Sequence, residues 1–423
     1  MDAIRTGSAA FRDVPYMGVI YVVAEAMKLG FTNGDPDWCN LGQGQPEIGP
    51  MEGAPPRVGH LDVLPQDHAY GPVGGTQALR EAVAAHYNRL YRAGTSSQYT
   101  ADNVAIAAGG RLVLSRLLAA LGPINVGYQT PDYTAYEDML AYHAHRLTPV
   151  HLATDAAGAF KVSPARFAAT VRSQALGAFL LSNPCNPTGQ VLQGEELREY
   201  VKIARDSGCA LLLDEFYSHF IYDSSGGAAT GPVSAAAYVG DVNCDPVMLV
   251  DGLTKNFRYP GWRIGWVVGP ATAIEQITRA ASAIDGGPST LAQRAALALL
   301  EPARADQETH AVRDVFARKH RLMRDALLGL GVRIPHAPRG TFYIWGDISG
   351  LRPPFNDAEA LFRAALQKKV MIVPGRYFDV NPVQDSGQRR ESDAAYGQWV
   401  RFSFGPPEAN VRLGLERLAS LIG

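Results

Sequence analysis

The chain has 423 residues, with 39 basic against 41 acidic side chains and a formal net charge of −2. This balance gives no field that would attract nucleic acid or an anionic membrane, so small-molecule chemistry is favoured. The length allows two or three cooperating lobes, and 47% hydrophobic with 19% charged residues is globular composition. Four cysteines without paired spacing predict neither a disulfide framework nor a zinc site, and are typical of a cytoplasmic protein.

The first 45 residues are predicted to form an N-terminal arm, or first helix, that packs on the protein and begins the smaller domain. An apolar run from Tyr16 to Ala24 faintly resembles a secretion signal, but Glu25 follows it at once and argues against one. No stretch approaches the ~20 apolar residues needed to cross a bilayer, so no membrane span is predicted.

From about residue 75 the chain alternates helical and extended patterns, which is typical of a mostly parallel sheet with crossover helices. A first helix is predicted after a cap at Thr76, because Leu79, Val83, Tyr87 and Leu90 fall on one face. A later helix is predicted to end at a glycine, residue 208. Apolar runs of strand length, as buried parallel strands require, follow at 104–108, 178–181, 210–213 and 247–250.

The C-terminal part of the chain shows a second pattern. A basic helical segment, 313–328, precedes three strand-like runs at 342–345, 370–373 and 399–404. We therefore predict a large domain over residues 46–305 and a smaller C-terminal domain over 306–423. Two loops rich in glycine, serine and aspartate, 223–245 and 379–397, are predicted as surface excursions or lids.

Two of four chemically notable segments end apolar strands. Residues 182–189 read Ser-Asn-Pro-Cys-Asn-Pro-Thr-Gly, a rigid turn at a strand end where α/β sheets bind ligands, and Asn186 could donate there to a ring oxygen. In the second segment, Asp214 closes a buried strand. A buried carboxylate costs several kcal/mol unless a cation pairs with it, and a protonated pyridine nitrogen is such a cation.

The other two segments carry basic residues. An amine that forms an imine needs a lysine whose pKa is lowered by burial and by neighbouring cations, and Lys255 follows an apolar strand. Thr254 and Arg263 beside it could hold a phosphate. Arg401 lies inside an apolar strand, where it needs a structural or substrate carboxylate. Taken singly, the four segments also fit a tight turn, a turn-capping acid, a surface lysine and a structural ion pair.

At these residues the sequence resembles the class I and II aminotransferases of fold type I, from about residue 38 to the C terminus. The family pattern has an Asn-Pro-x-Asn-Pro-Thr-Gly turn, an Asp-Glu-x-Tyr strand end, a Ser/Thr-Lys followed eight residues later by Arg, and a C-terminal Arg-x-Ser strand. All four occur here in that order. The resemblance implies a three-layer α/β fold with a large, mostly parallel-sheet cofactor domain, a smaller α+β domain, and pyridoxal 5'-phosphate as cofactor.

The resemblance also implies roles around the cofactor ring. Lys255 would carry the cofactor as a Schiff base and move the substrate's α-proton. Asp214 would pair with the pyridine nitrogen, and Asn186 and Tyr217 would bond the ring oxygen. Tyr133 would stack on the ring.

The phosphate of the cofactor would lie at the start of a helix over residues 111–120. The resemblance assigns this phosphate to the Gly109-Gly110 turn, Arg111, Thr254 and Arg263.

For the substrate, the resemblance implies that Arg401 binds the carboxylate, with Gly44 and Asn186 nearby. It further implies a homodimer in which Tyr70 reaches the phosphate in the neighbouring site. Amino acids and keto acids would be the small-molecule partners.

Four departures from the family pattern keep the reaction open. Gly252 stands where serine is usual, Arg111 where a small hydroxyl or amide is usual, and Cys185 where His or Asn is common. Arg258 replaces a small residue close to the imine. The leading hypothesis is an aminotransferase. A lyase or ring-forming enzyme that eliminates a γ-substituent from S-adenosylmethionine or a related amino acid is an alternative.

A third hypothesis is a regulator that binds the cofactor and senses an amino acid without turning it over. Such a regulator normally carries a DNA-binding module, and the ~37 residues before the resemblance begins are too short for most of them. The neutral charge also disfavours it.

Overall fold

The computed structural model describes most of the chain: residues 18–223, 231–382 and 396–423, with Val14 and Tyr16. The start of the predicted arm, residues 224–230 of the first predicted loop and residues 383–395 of the second lie outside these residues. No helix in the described ranges is long and apolar enough to span a membrane.

Strands and helices alternate along most of the described chain. The strands are β1 (Cys39–Asn40), β2 (Val104–Ala107), β3 (Ile124–Thr130), β4 (Leu147–Ala153), β5 (Leu176–Ser182), β6 (Ala210–Asp214), β7 (Val247–Gly252), β8 (Gly265–Val268), β9 (Tyr343–Asp347), β10 (Val370–Met371), β11 (Val373–Pro374) and β12 (Trp399–Ser403). The helices are α1 (Gly18–Lys28), α2 (Gln77–Tyr91), α3 (Gly110–Ala120), α4 (Ala135–Tyr142), α5 (Pro164–Ser173), α6 (Gly194–Ser207), α7 (Ala271–Ile284), α8 (Thr290–Leu297), α9 (Pro302–Gly329), α10 (Ala358–Gln367) and α11 (Glu408–Ile422).

A seven-stranded sheet in the order β2-β8-β7-β6-β5-β3-β4 forms the centre of the larger part. Its strand pairs are parallel except those made by β8, which is antiparallel to β7 and to β2. The four predicted apolar runs are confirmed as β2, β5, β6 and β7, and every residue of β2 and β7 is buried. The register pairs Ser182 with Asp214, so the ends of β5 and β6 lie side by side.

The predicted start of α2 and the predicted end of α6 are confirmed, but the predicted cap of α2 is wrong. Helix α2 follows Thr76, but the threonine side chain makes no capping hydrogen bond. The Thr76 amide instead donates to Oε1 of Gln293, at 2.7 Å, which fixes the start of α2 against α8. Helix α6 ends at Gly208, as predicted.

The smaller part is built from both ends of the chain. An antiparallel sheet has the order β11-β12-β9, and β1 pairs in parallel with β10. The N-terminal segment thus pairs with a strand from beyond residue 340, and the predicted arm stays a prediction. Helix α9 begins at Pro302, so the predicted domain boundary at residue 305 falls in its first turn, and that boundary stays a prediction.

A buried cation fixes the segment that leads out of β1. Lys319 of α9 is fully buried, and its Nζ donates to Oε1 of Glu47 at 2.9 Å and to the carbonyls of Gly405 at 3.2 Å and Pro406 at 2.7 Å. Burial lowers the pKa of Lys319 to about 8, with Glu47 opposing the shift. The contacts join the N-terminal segment to the chain that follows β12.

Replacing this cation should destabilise the fold. In Lys319→Met the carboxylate of Glu47 loses its partner, so we expect the free energy of unfolding to fall by about 3 kcal/mol. Urea unfolding of the wild type, Lys319→Met and Lys319→Met/Glu47→Gln measures this. The double variant should recover part of the loss, and equal stability of Lys319→Met and wild type would contradict the assignment.

Candidate active site

A cavity of about 360 Å³ lies at the carboxyl ends of β5, β6 and β7. Parallel strands place their carboxyl ends at one edge of the sheet, which is where α/β proteins bind ligands. The predicted site residues that line the cavity are Gly44, Gly110, Arg111, Tyr133, Asn186, Asp214, Tyr217, Thr254, Lys255, Arg263 and Arg401. All four sequence segments therefore meet in one place.

Lys255 follows β7 and lies partly exposed in the cavity. Its Nζ donates to the carbonyl of Gly44. Burial lowers the pKa of Lys255 to about 7, three guanidinium groups lining the same cavity add to the effect, and Asp214 opposes it. The amine is therefore poised to lose its proton near neutral pH.

Asp214 forms the floor of the cavity at the end of β6. Its Oδ2 accepts from the hydroxyl of Tyr136 at 3.0 Å, and its Oδ1 from the amide of Phe216 at 3.4 Å. Burial raises the pKa of Asp214 to about 6, despite these hydrogen bonds. A carboxylate held this way favours a cationic N–H group above it.

Arg401 on β12 is 1% exposed and its guanidinium borders the cavity. One Nη donates to Oδ1 of Asn186 at 2.8 Å and the other to the carbonyl of Gly42. The guanidinium carbon lies 4.1 Å from the ring centre of Tyr343 and 4.9 Å from that of Phe378. Among the described residues, Nε has no hydrogen-bond partner, which suits the binding of a carboxylate.

Two tyrosines close one wall beside Arg401. The hydroxyls of Tyr217 and Tyr343 are 2.6 Å apart, and Tyr343 comes from β9 of the smaller part. A Cβ on Gly44 would lie 2.3 Å from the Tyr343 hydroxyl, so a larger residue there would displace this tyrosine. Sequence reasoning found Tyr217 but missed Tyr343, since an aromatic residue in an apolar strand carries no distinguishing signal.

The opposite end of the cavity lies at the start of α3. Gly109 precedes the helix with φ +91°, a conformation that glycine adopts at little cost. A Cβ there would lie 2.2 Å from the guanidinium of Arg263. The backbone therefore approaches Arg263 closely, and the N–H groups that open α3 lie beside a cation, which is suited to an anion.

Arg111 strengthens the positive charge at this end. Its Nε donates to the hydroxyl of Tyr133 at 3.0 Å. Burial lowers the pKa of Arg263, and the nearby charge of Arg111 lowers it further. Two guanidinium groups held near each other fit a phosphate dianion better than either fits alone.

The fold accounts for Gly252. A Cβ at this position would lie 2.5 Å from the carbonyl oxygen of Ile264 and 2.6 Å from Cα of Gly265, in the pairing of β7 with β8. A serine does not fit between these strands without movement of the backbone. The glycine is explained by packing and needs no change of reaction.

Arg258 was expected close to the imine, but its side chain does not line the cavity that holds Lys255. Arg258 is fully buried and outside the cavity lining; its Nε donates to Oε1 of Glu308 at 2.6 Å, and one Nη to the carbonyl of Glu47 at 2.9 Å. The backbone of Arg258 has a positive φ of 58°. Cys185 is also buried outside the lining, and burial raises its pKa to about 12.

Tyr70 lies outside the cavity of its own chain. Its side chain is fully exposed. The predicted contact with a neighbouring site stays a prediction.

Sequence reasoning also missed residues that shape the cavity. Val19 and Ile20 of α1 line it, together with Leu114 of α3. Asp132 is buried behind it, accepts from the hydroxyl of Ser182, and has a pKa raised by burial to about 7. The one sequence signal for Asp132 was its position directly before Tyr133, a predicted site residue.

Comparison with known proteins agrees with this geometry. The family model "Aminotransferase class I and II" matches residues 36–418. A probable aspartate/prephenate aminotransferase of Thermus aquaticus is 30% identical over 360 residues, 84% of this chain and 83% of that protein. A valine–pyruvate aminotransferase of Mycobacterium tuberculosis is 26% identical over 431 residues, 99% and 97% of the two chains.

Solved structures show the same fold. The aspartate aminotransferase from Thermus thermophilus with maleate superposes with a TM-score of 0.77 at 25% sequence identity, over 96% of this chain and 97% of that chain. The family match spans well over half of the sequence and includes all four segments that meet in the cavity. The chain belongs to the class I and II aminotransferases.

Proposed function

We propose that this enzyme transfers the α-amino group of an amino acid to a keto acid, using pyridoxal 5'-phosphate bound at Lys255. One observation carries the proposal: the same cavity is lined by Lys255, Asp214 and Arg401. The pKa of Lys255 is lowered, and the carboxylate of Asp214 is buried. Arg401 is a buried arginine whose Nε has no hydrogen-bond partner among the described residues. The named relatives support the class of reaction. Their names give different amino acids, so they do not select one.

The residues of the cavity fit each part of this cofactor. Lys255 offers an amine for the aldehyde, and Asp214 an anion for the ring nitrogen. Oδ1 of Asn186 is occupied by Arg401, which leaves the amide N–H groups to donate to a ring oxygen. The start of α3, with its two neighbouring guanidinium groups, suits the phosphate.

When bound, the cofactor supplies an electron sink that makes the substrate's α-proton acidic. Arg401 binds the substrate carboxylate, and so orients the Cα–H bond. Lys255 accepts the α-proton at Nζ, since a pKa of about 7 leaves much of the amine neutral at physiological pH. Asp214 holds the proton on the ring nitrogen.

The structure weakens the support for the lyase alternative. That alternative depended on Gly252 and Arg258. Gly252 is explained by the contact of β7 with β8, and Arg258 pairs with Glu308 outside the cavity. No described residue of the cavity gives a separate reason for elimination.

Assembly and location belong to the same proposal. We propose a homodimer in which the exposed Tyr70 reaches the phosphate of the partner's site. The four cysteines are free, which is in keeping with a reducing compartment such as the cytoplasm.

The reaction class is tested by a half-reaction. An amino acid alone should convert the bound cofactor from its aldehyde to its amine form, and a keto acid should restore the aldehyde form, as followed by absorption spectroscopy and by mass spectrometry of the products. Return to the aldehyde form without a keto acid, with a product that lacks its γ-substituent, would establish elimination instead.

The role of Asp214 predicts a dependence of stability on pH. Its folded pKa of about 6 lies above its ordinary value, so the stability it contributes is present in acid and is lost as pH rises through 6. Cofactor-free Asp214→Asn should therefore match the wild type near pH 4 and exceed its free energy of unfolding by about 2 to 3 kcal/mol at pH 8.

Thermal unfolding with and without cofactor checks this prediction. Saturating cofactor at pH 8 should raise the Tm of the wild type more than that of Asp214→Asn, because the amide gives the ring nitrogen no countercharge. Asp206→Asn, on the exposed face of α6, serves as control. A variant less stable than the wild type at pH 8, yet equally stabilised by cofactor, would remove Asp214 from this role.

A further inference from the structure

We propose that Asp132 is a positioning residue for substrate binding, which acts through Ser182 and Asn186 to hold the guanidinium of Arg401. This inference rests on the proposed function, in which Arg401 binds the substrate carboxylate. It adds a residue that lies behind the cavity and does not itself touch the substrate. A chain of hydrogen bonds between buried residues carries it.

Asp132 is a fully buried carboxylate that follows β3 and accepts hydrogen bonds from three donors. Its Oδ1 accepts from the hydroxyl of Ser182 and from the amide of Tyr133, the latter at 2.7 Å, and its Oδ2 accepts from the amide of Ser182 at 3.3 Å. Burial raises the pKa of Asp132 to about 7, although these hydrogen bonds lower it. Both carboxylate oxygens therefore hold the end of β5 beside the segment that follows β3.

Ser182 connects Asp132 to Asn186. A serine hydroxyl has one proton, and here it is donated to Asp132, so the hydroxyl oxygen remains free to accept. The backbone amide of Asn186 donates to this oxygen at 3.0 Å. Asp132 thus fixes the direction of the Ser182 hydroxyl, and the hydroxyl fixes the backbone of the turn that carries Asn186.

Asn186 in turn holds the guanidinium of Arg401, because its Oδ1 accepts from one Nη at 2.8 Å. A second link uses the backbone. The amide of Asp132 donates to the carbonyl of Phe378 at 3.2 Å, and the Phe378 ring lies 4.9 Å from the guanidinium carbon of Arg401. At most 3% of the surface is exposed in each residue of the chain of contacts, Asp132, Ser182, Asn186 and Arg401. These contacts therefore form within one chain and need no residue of a partner.

A matched pair of ligands isolates the binding of the carboxylate. The amino acid 2-methylalanine has an α-amine and an α-carboxylate but no α-proton to lose, and propan-2-amine has hydrogen in place of that carboxylate. Both are titrated by calorimetry into the cofactor-loaded enzyme at pH 8, where the Asp132 carboxyl is mostly ionised. We expect Asp132→Ala to raise the Kd of 2-methylalanine by at least ~10-fold and that of propan-2-amine by less than ~2-fold, because only the carboxylate uses Arg401.

Ser182→Ala breaks the same chain of contacts and tests it even where Asp132→Ala does not fold. It should raise the Kd of 2-methylalanine by at least ~5-fold, and the double variant should bind no more than ~2-fold more weakly than Asp132→Ala, since both changes act through one hydrogen bond. Asp245→Ala is the control. Asp245 is 3% exposed, and its carboxylate pairs with Arg205 at the end of β7 that lies away from Lys255. It should leave both Kd values within ~2-fold of the wild type.

The outcomes separate this inference from the proposed function. Unchanged binding of 2-methylalanine in Asp132→Ala and Ser182→Ala, or equal weakening of both ligands, would overturn the positioning role and leave the aminotransferase proposal intact. A wild type that binds both ligands equally well, or neither, would overturn the inference at Arg401. Selective loss of 2-methylalanine binding in an enzyme that converts no amino acid would support the positioning role and contradict the proposed function.

Discussion

The arrangement of this protein depends on one electrostatic constraint: a lysine amine has to lose its proton near neutral pH. Lys255 meets it because burial and three guanidinium groups outweigh the attraction of Asp214. The amine and the three guanidinium groups repel one another, so the fold has to hold them together. The parallel sheet supplies Lys255 and Asp214, α3 supplies Arg111, and β12 of the smaller part supplies Arg401. In the proposed function a phosphate and a carboxylate complete the charge balance.

Much of this site could be predicted from the sequence, because its main residues belong to strand ends. Apolar runs predicted β5, β6 and β7, and the carboxyl ends of parallel strands meet at one edge of a sheet. Asn186, Asp214 and Lys255 each follow or close such a run. The order of strands and helices along the chain was therefore enough to predict that these residues lie close together. Burial then explains the pKa shifts of Asp214 and Lys255.

The rest could not be predicted, because it depends on packing between distant parts of the chain. Tyr343 contacts Tyr217 because the three-stranded sheet packs against the larger part. Val19 lines the cavity because α1 packs on Tyr377. Arg258 was misplaced for the same reason: its partner Glu308 lies 50 residues away, on α9. Gly252 is required by its close contact with β8, and the apolar pattern of the sequence did not predict β8 as a strand.

The most direct test of this account is to trap the cofactor on its lysine. Purified protein incubated with pyridoxal 5'-phosphate should turn yellow, and borohydride reduction followed by peptide mapping should place the cofactor on Lys255. Lys319 is an internal comparison, because its pKa is also lowered but its amine is fully buried and makes three hydrogen bonds away from the cavity. The account predicts label on Lys255 and none on Lys319 or in Lys255→Arg. A colourless protein, or label on another lysine, would contradict it.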